Sequence, residues 1–171
     1  STHPRWVNVI FASLTGDILL DALVGALFAM ISYSSLAAVL LTATLAGASV
    51  ISLPVAIGLV IGANIGSGVL AFLSTSMQNA AGRQVALGSL LYKLIGLLLI
   101  IPVLDPLVHW IDSLDFSPQE MVIGFHLLYN TARCLILLPS VGPMARFCAW
   151  VLPERPQPNG MAKPRHLDPA A

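Results

Sequence analysis

The feature that most limits the fold of this chain is a long stretch without charge. Residues 22–82 contain no Asp, Glu, Lys or Arg. One bilayer crossing needs about 20 consecutive apolar residues, so the stretch is long enough for more than one membrane segment. In the whole chain only 9% of residues are charged, against about 25% in soluble domains. The sequence therefore predicts an all-α protein embedded in a membrane.

Charge and cysteine content exclude several other classes of protein. The formal net charge is zero, so no nucleic-acid partner is predicted. Cys134 and Cys148 fit no metal or redox spacing and are interpreted as small apolar packing residues. The chain begins at Ser1 without a signal peptide, and we expect it to be a piece of a longer protein.

Four apolar blocks organise the chain, at residues 18–50, 54–73, 84–104 and 118–138. The first has 33 residues, which is too long for one untilted span and too short for two. A hairpin that enters and leaves on the same side fits that length, with its turn at the serine-rich residues 32–35. The other three blocks are predicted transmembrane helices, and all four belong to one membrane repeat at residues 18–152.

The connecting segments carry helix signals of their own. Ser117, Pro118 and Glu120 form a capping-box start for the fourth block, whereas Pro139 and residues 142–143 are expected to end it. An apolar repeat at residues 106–116 predicts a short helix on the membrane surface, with an ordinary polar loop as the alternative. A second amphipathic segment is predicted at residues 144–152.

Basic residues set the predicted orientation. The connector at residues 105–120 has four acids and no Lys or Arg, which places it outside the cell. Residues 1–17 are read as a connector and residues 153–171 as a polar linker. The basic residues are expected on the cytoplasmic side of the inner (plasma) membrane; they are Arg83, Arg146, Arg155, Lys163 and Arg165.

Two polar groups interrupt the charge-free stretch. Ser32, Ser34 and Ser35 could seat an anion or Na⁺ at a hairpin turn, or could serve ordinary helix packing. The glycines of the second block either let two helices approach closely or break the helix at residues 62–66. In the second case the predicted sodium ligands are Gly62, Asn64, Gly66 and Ser67.

Charged and polar residues also lie within the third and fourth blocks. Lys93 is predicted about 15 Å from either interface, where a cation costs about 3 kcal/mol. Either a carboxylate outside this chain or a bound anion should neutralise it, and Ser89 and Gly96 share its helix face. On the fourth helix, Arg133 is expected to snorkel to the cytoplasmic side, while His126 and Asn130 are expected to bond neighbouring helices or line a polar path.

Three motifs make the chain resemble the bacterial sodium/phosphate cotransporter family. Residues 62–67, Gly-Ala-Asn-Ile-Gly-Ser, are similar to the family's Gly-Ala-Asn-Ile-Gly-Thr. Ser34 and Ser35 fall where the family carries Gln-Ser-Ser-Ser, although Ser32 stands in place of Gln and Tyr33 in place of the first Ser. Residues 126–130, His-Leu-Leu-Tyr-Asn, look like the family's His-x-x-Phe-Asn.

The resemblance implies one of two inverted repeats, built from a re-entrant helical hairpin and about three transmembrane helices. It also implies sodium-coupled transport of inorganic phosphate, with sodium as the coupling ion, no organic cofactor and no enzyme activity. The implied partners are the lipid bilayer, the first repeat of the same protein and a PhoU-like cytoplasmic domain, and a homodimer is compatible with the family. The predicted substrate-binding residues are Ser32, Ser34, Ser35, Lys93 and Asn130.

Two other classes of function remain as alternatives. A membrane scaffold for a cytoplasmic regulatory domain would share the hydropathy but would not respond to phosphate. An intramembrane hydrolase could use Ser34 or Ser35 with His126, but no acid stands near His126 and the sequence has no nucleophile-elbow motif.

Overall fold

The computed structural model describes residues 17–154, and every regular element among them is helical. The short 3₁₀ segments Ile101–Val103 and Leu138–Ser140 follow the fourth and sixth helices. The α-helices are α1 (Ile18–Ile31), α2 (Ser35–Gly47), α3 (Leu53–Ser74), α4 (Ala80–Ile100), α5 (Leu104–Asp112), α6 (Pro118–Leu137) and α7 (Val141–Val151).

The first apolar block folds as two short helices, and the predicted turn near residues 32–35 is confirmed. Asp17 caps α1 through its side chain, and Ser34 caps α2 by accepting from the backbone N–H of Ala37. Between the two helices Tyr33 has a φ of 54°, the left-handed conformation that reverses the chain. At 14 and 13 residues the helices are about 20 Å long, shorter than the roughly 30 Å hydrocarbon core. Their length supports the re-entrant arrangement, which stays a prediction.

Helix α3 lies at the centre of the described bundle and is unbroken over 22 residues. The predicted break at residues 62–66 is therefore wrong. The glycines face α1 instead: a Cβ on Gly62 would overlap the carbonyl oxygen of Ala22, and one on Gly66 would overlap that of Ala26. This contact compensates for the weak helix propensity of glycine. It agrees with the alternative interpretation of these glycines, in which they let two helices approach closely.

The pairing of Gly62 with Ala22 and of Gly66 with Ala26 shows that α1 and α3 run in the same direction. We call this contact the glycine seam; Gly25 of α1 completes it by packing on the backbone of Leu59. The turn at residues 32–34 therefore lies towards the C-terminal half of α3.

The remaining helices run in two long segments. By length and composition, three segments of residues 17–154 could cross a membrane: Leu53–Ser74, Ala80–Asp112 and Pro118–Val151. A separate surface helix, or a polar loop, was predicted at residues 106–116. Within this range the chain is helical only as far as Asp112, the last residue of α5. Helix α5 follows α4 through the 3₁₀ segment Ile101–Val103. The predicted end of the fourth block is confirmed, because α6 ends at Leu137 and the 3₁₀ segment that contains Pro139 separates it from α7. Residues 142–143 lie in the first turn of α7, where proline is tolerated because the backbone N–H has no partner within the helix.

The predicted capping box of α6 is present. Ser117 Oγ accepts from the N–H of Glu120, while the Glu120 carboxylate accepts from the N–H of Ser117. Two of the N–H groups at this helix end are thereby satisfied. The predicted polar linker lies mostly beyond the described residues.

Candidate functional site

The polar residues of α3 are bonded mainly within the bundle. Asn64 is buried, and its Nδ2 donates to the carbonyl of Val60 one turn earlier at 3.2 Å. Ser67 Oγ donates to the carbonyl of Asn64 at 2.8 Å. Because α3 is continuous, it offers no set of unwound carbonyls at the predicted sodium ligands Gly62, Asn64, Gly66 and Ser67.

Lys93 of α4 reaches α3 rather than lipid. Its Nζ donates to Ser67 Oγ at 2.8 Å. Gly68 leaves room for the aliphatic chain, since a Cβ on Gly68 would lie 2.8 Å from Lys93 Cδ. A predicted sodium ligand, Ser67, is therefore hydrogen-bonded to a predicted substrate-binding residue, Lys93.

A second cationic side chain approaches α4 from α6. A Cβ on Gly96 would lie 2.6 Å from Arg133 Cδ and 2.8 Å from the Tyr129 hydroxyl oxygen. The guanidinium carbon of Arg133 lies 5.6 Å from the centroid of the Tyr129 ring, a cation–π distance. Arg133 thus packs into the α4–α6 interface with one guanidinium nitrogen buried, and its snorkelling to the cytoplasmic side stays a prediction.

Asn130 holds this guanidinium in place. Its Oδ1 accepts from Arg133 Nη2 at 2.9 Å, and its Nδ2 donates to the carbonyl of His126 at 2.8 Å. Both ends of the amide are therefore engaged within α6. In this conformation Asn130 orients Arg133, whereas the sequence predicted that it would contact the substrate itself.

One nitrogen of the guanidinium, Arg133 Nη1, is buried without a hydrogen-bond partner among residues 17–154. Lys93 and Gly96, against which Arg133 packs, are one helical turn apart on α4, so the two cationic side chains enter the same part of the bundle. No carboxylate of the described residues forms an ion pair with either side chain. Two cations and an unused donor in one interior region constitute a site suited to an anion.

The serine turn is bonded locally. Ser32 Oγ donates to the carbonyl of Phe28 at 2.8 Å, and Ser34 Oγ caps α2. Ser32, Ser34 and Ser35 are half-buried. Within the described residues no hydrogen bond joins them to Lys93, so the structure does not bring the two predicted parts of the substrate site into contact.

A cavity between α4, α6 and α7 has a volume of about 540 Å³. Ser89, Tyr92 and Arg133 are polar members of a lining that is otherwise largely apolar. Ser89 was predicted to share a cavity with Lys93. It borders this one instead, while Lys93 and Gly96 face α3 and α6.

Asp21 is a buried carboxylate that the sequence analysis missed. It lies in the first turn of α1 and is 0% exposed. The signal was present, because an acid four residues into an apolar block is unusual in a membrane segment. Asp21 was overlooked because it lies only four residues after the predicted polar connector at residues 1–17.

We expect Ser67→Ala to lower the free energy of unfolding of the full-length protein by about 1.5–3 kcal/mol, because the Lys93 ammonium loses its neutral acceptor. Chemical unfolding in detergent micelles would measure the change. The matched control is Ser74→Ala on the same helix, where an exposed hydroxyl donates to the Leu70 carbonyl. Equal effects of the two substitutions would contradict the contact between Ser67 and Lys93.

Comparisons with known proteins identify a family and several relatives. The family model described as Na+/Pi-cotransporter matches residues 4–128. "Putative inorganic phosphate export protein YjbB" of Escherichia coli strain K12 is 58% identical over 170 residues, which are 99% of this chain and 31% of the relative. The protein of the same name from Salmonella typhimurium strain LT2 gives the same identity and coverage.

A more distant relative is "Uncharacterized protein YqeW" of Bacillus subtilis strain 168, which is 24% identical over 133 residues, or 78% of this chain and 43% of the relative. No solved structure matches the chain. The chain thus spans under a third of the length of the YjbB proteins. Because the family model covers well over half of its residues, the chain belongs to the Na+/Pi-cotransporter family.

Proposed function

We propose that this chain is the second membrane repeat of a transporter that moves inorganic phosphate across the inner membrane in a sodium-coupled step. The observation that carries the proposal is the pair of cations, Lys93 and Arg133, which lie inside the bundle without a carboxylate among residues 17–154. An anion entering between α3, α4 and α6 would neutralise charge that is costly to bury.

Phosphate fits the donors of this site. The unpartnered Arg133 Nη1 and the Lys93 ammonium supply charge-assisted hydrogen bonds, which are the strong interactions with phosphate oxygens. The Ser67 hydroxyl stands beside Lys93. We propose that Ser32, Ser34 and Ser35 complete the site when the hairpin turn approaches Lys93, and that Asn130 contributes by holding Arg133.

Sodium enters the proposal through the family description. Of the expected ligands Gly62, Asn64, Gly66 and Ser67, we propose that Asn64 and Ser67 supply side-chain oxygens, because the carbonyls of the two glycines lie in an unbroken helix. In the present conformation the Lys93 ammonium lies 2.8 Å from Ser67 Oγ, where it would repel Na⁺. Sodium binding at Ser67 therefore requires Lys93 to turn away, for example onto a phosphate oxygen. In this scheme the two ions bind cooperatively, because the anion draws Lys93 off the sodium ligand.

Direction of transport is the second part of the proposal. The YjbB relatives are named for phosphate export, and we propose export as the physiological direction for this protein. A coupled carrier is reversible, so imposed gradients determine the direction of net flux in a reconstituted system.

The test is transport of labelled phosphate by the full-length protein in sealed vesicles. We expect phosphate flux to follow an imposed sodium gradient and to exceed the flux under an equal potassium gradient. Equal fluxes under sodium and potassium would contradict sodium coupling. Absence of both phosphate flux and thermal stabilisation by phosphate would contradict transport and favour the scaffold alternative.

A further inference from the structure

The buried carboxylate of Asp21 lies outside the phosphate site and has no role in it. Asp21 belongs to α1, and its side chain points at α3: a Cβ on Gly58 would lie 2.6 Å from Asp21 Cβ and 3.3 Å from its Oδ2. The same position would also be 3.3 Å from Ile18 Cδ1. The carboxyl group therefore lies against Gly58, a glycine that Ile18 also contacts, at one end of the glycine seam.

Both carboxyl oxygens of Asp21 are buried without a hydrogen-bond partner among residues 17–154. Helices α2 and α3 contain no titratable side chain, and α1 contains none besides Asp21. Among the described residues, Asp17 is a charged neighbour that precedes α1, and its Oδ1 accepts from the N–H groups of Leu19 and Leu20. Asp17 therefore repels a charged Asp21 and gives it no hydrogen bond.

An ionised carboxylate in such surroundings has a far larger desolvation cost than a neutral one. A bound proton removes the charge. A metal cation would also remove it, but Na⁺ and similar ions need several oxygen ligands, and the seam offers only the two oxygens of Asp21 beside backbone carbonyls that are committed to helix bonds. The chemistry of the site therefore favours a proton over a metal ion.

We propose that Asp21 is a proton-binding site that couples proton exchange to movement of the hairpin. With the carboxyl group neutral, α1 lies against Gly58. When the proton leaves to water, the carboxylate needs water or a cation, and the N-terminal end of α1 must separate from α3 to admit either. Because α1 carries the turn at residues 32–34, release of this proton would move the serine turn.

The test is infrared spectroscopy of the full-length protein at neutral pH without phosphate, so that its outcome is independent of the proposed substrate site. An exposed aspartate with a pKa of about 3.9 is almost fully ionised under these conditions. We expect the carbonyl band of a protonated carboxyl group in the unmodified protein and its loss in Asp21→Asn. Asp17→Asn is the control and should keep the band, because Asp17 is exposed.

Asparagine resembles the neutral carboxyl group in shape, so Asp21→Asn should fold. If it does not, Asp21→Glu serves instead and should shift the band. Absence of the band from the unmodified protein would overturn the proposal, since it would mean an ionised Asp21 paired with a group beyond residues 17–154. A band that persists in Asp21→Asn, or that does not shift in Asp21→Glu, would overturn it equally.

Discussion

Gly62→Ala is expected to destabilise the full-length protein by about 3 kcal/mol or more, the upper range for overpacking a well-filled interior. The added methyl group would overlap the backbone carbonyl of Ala22. A flexible side chain could turn away from it, but the backbone of α1 can move only as a whole helix. Denaturant titration of the purified protein in micelles would measure the loss.

Gly124→Ala is the matched control for this change. Gly124 lies within α6, and a Cβ there would meet no atom within 4 Å. Replacing a helical glycine with alanine at such a position should stabilise the protein by about 0.5–1 kcal/mol. If Gly62→Ala instead retained full stability and altered only the sodium dependence of transport, Gly62 would be a cation ligand and the packing interpretation would be wrong.

Lys93→Met is expected to weaken phosphate binding by about tenfold or more, which corresponds to the roughly 1.5–3 kcal/mol of a charge-assisted hydrogen bond. Arg133→Met should have an effect of similar size, since the guanidinium supplies the second charge. Equilibrium binding of labelled phosphate to the full-length protein would measure both. If one phosphate contacts both cations, the losses in the double variant should differ from the sum of the single losses.

The control for these substitutions is Arg146→Met, which removes the same charge from an exposed position of α7. It should leave phosphate affinity unchanged. Unchanged affinity in a well-folded Lys93→Met variant would remove Lys93 from the site. Poor folding of that variant would instead indicate an ion pair with a carboxylate beyond residues 17–154.

Local signals in the sequence predicted local structure well. The turn near residues 32–35 and the capping box at Ser117 and Glu120 depend on neighbouring residues, and both are present. The break at residues 62–66 was predicted because glycine and Asn64 weaken a helix. The contact that keeps α3 intact is with Ala22, some 40 residues earlier, and no local pattern reveals such a partner.

The candidate site was predictable only in part, for the same physical reason. Depth along the helix indicated that Lys93 should face the interior, and it does. Arg133 looked like a residue able to reach water, because the sequence does not show that Gly96 lies opposite and leaves space for the Cγ and Cδ of this side chain. Asp21 was overlooked because its burial depends on α3, which packs over it.

The glycine seam also limits how this protein can change in evolution. In most interiors, a larger side chain on one helix can be offset by a smaller one on its neighbour. Here the atoms facing Gly62 and Gly66 belong to the main chain of α1, and every amino acid carries the same main-chain atoms. No substitution at Ala22 or Ala26 can compensate for a Cβ at either glycine. The distance between the two helices can therefore increase only through changes elsewhere that move a whole helix.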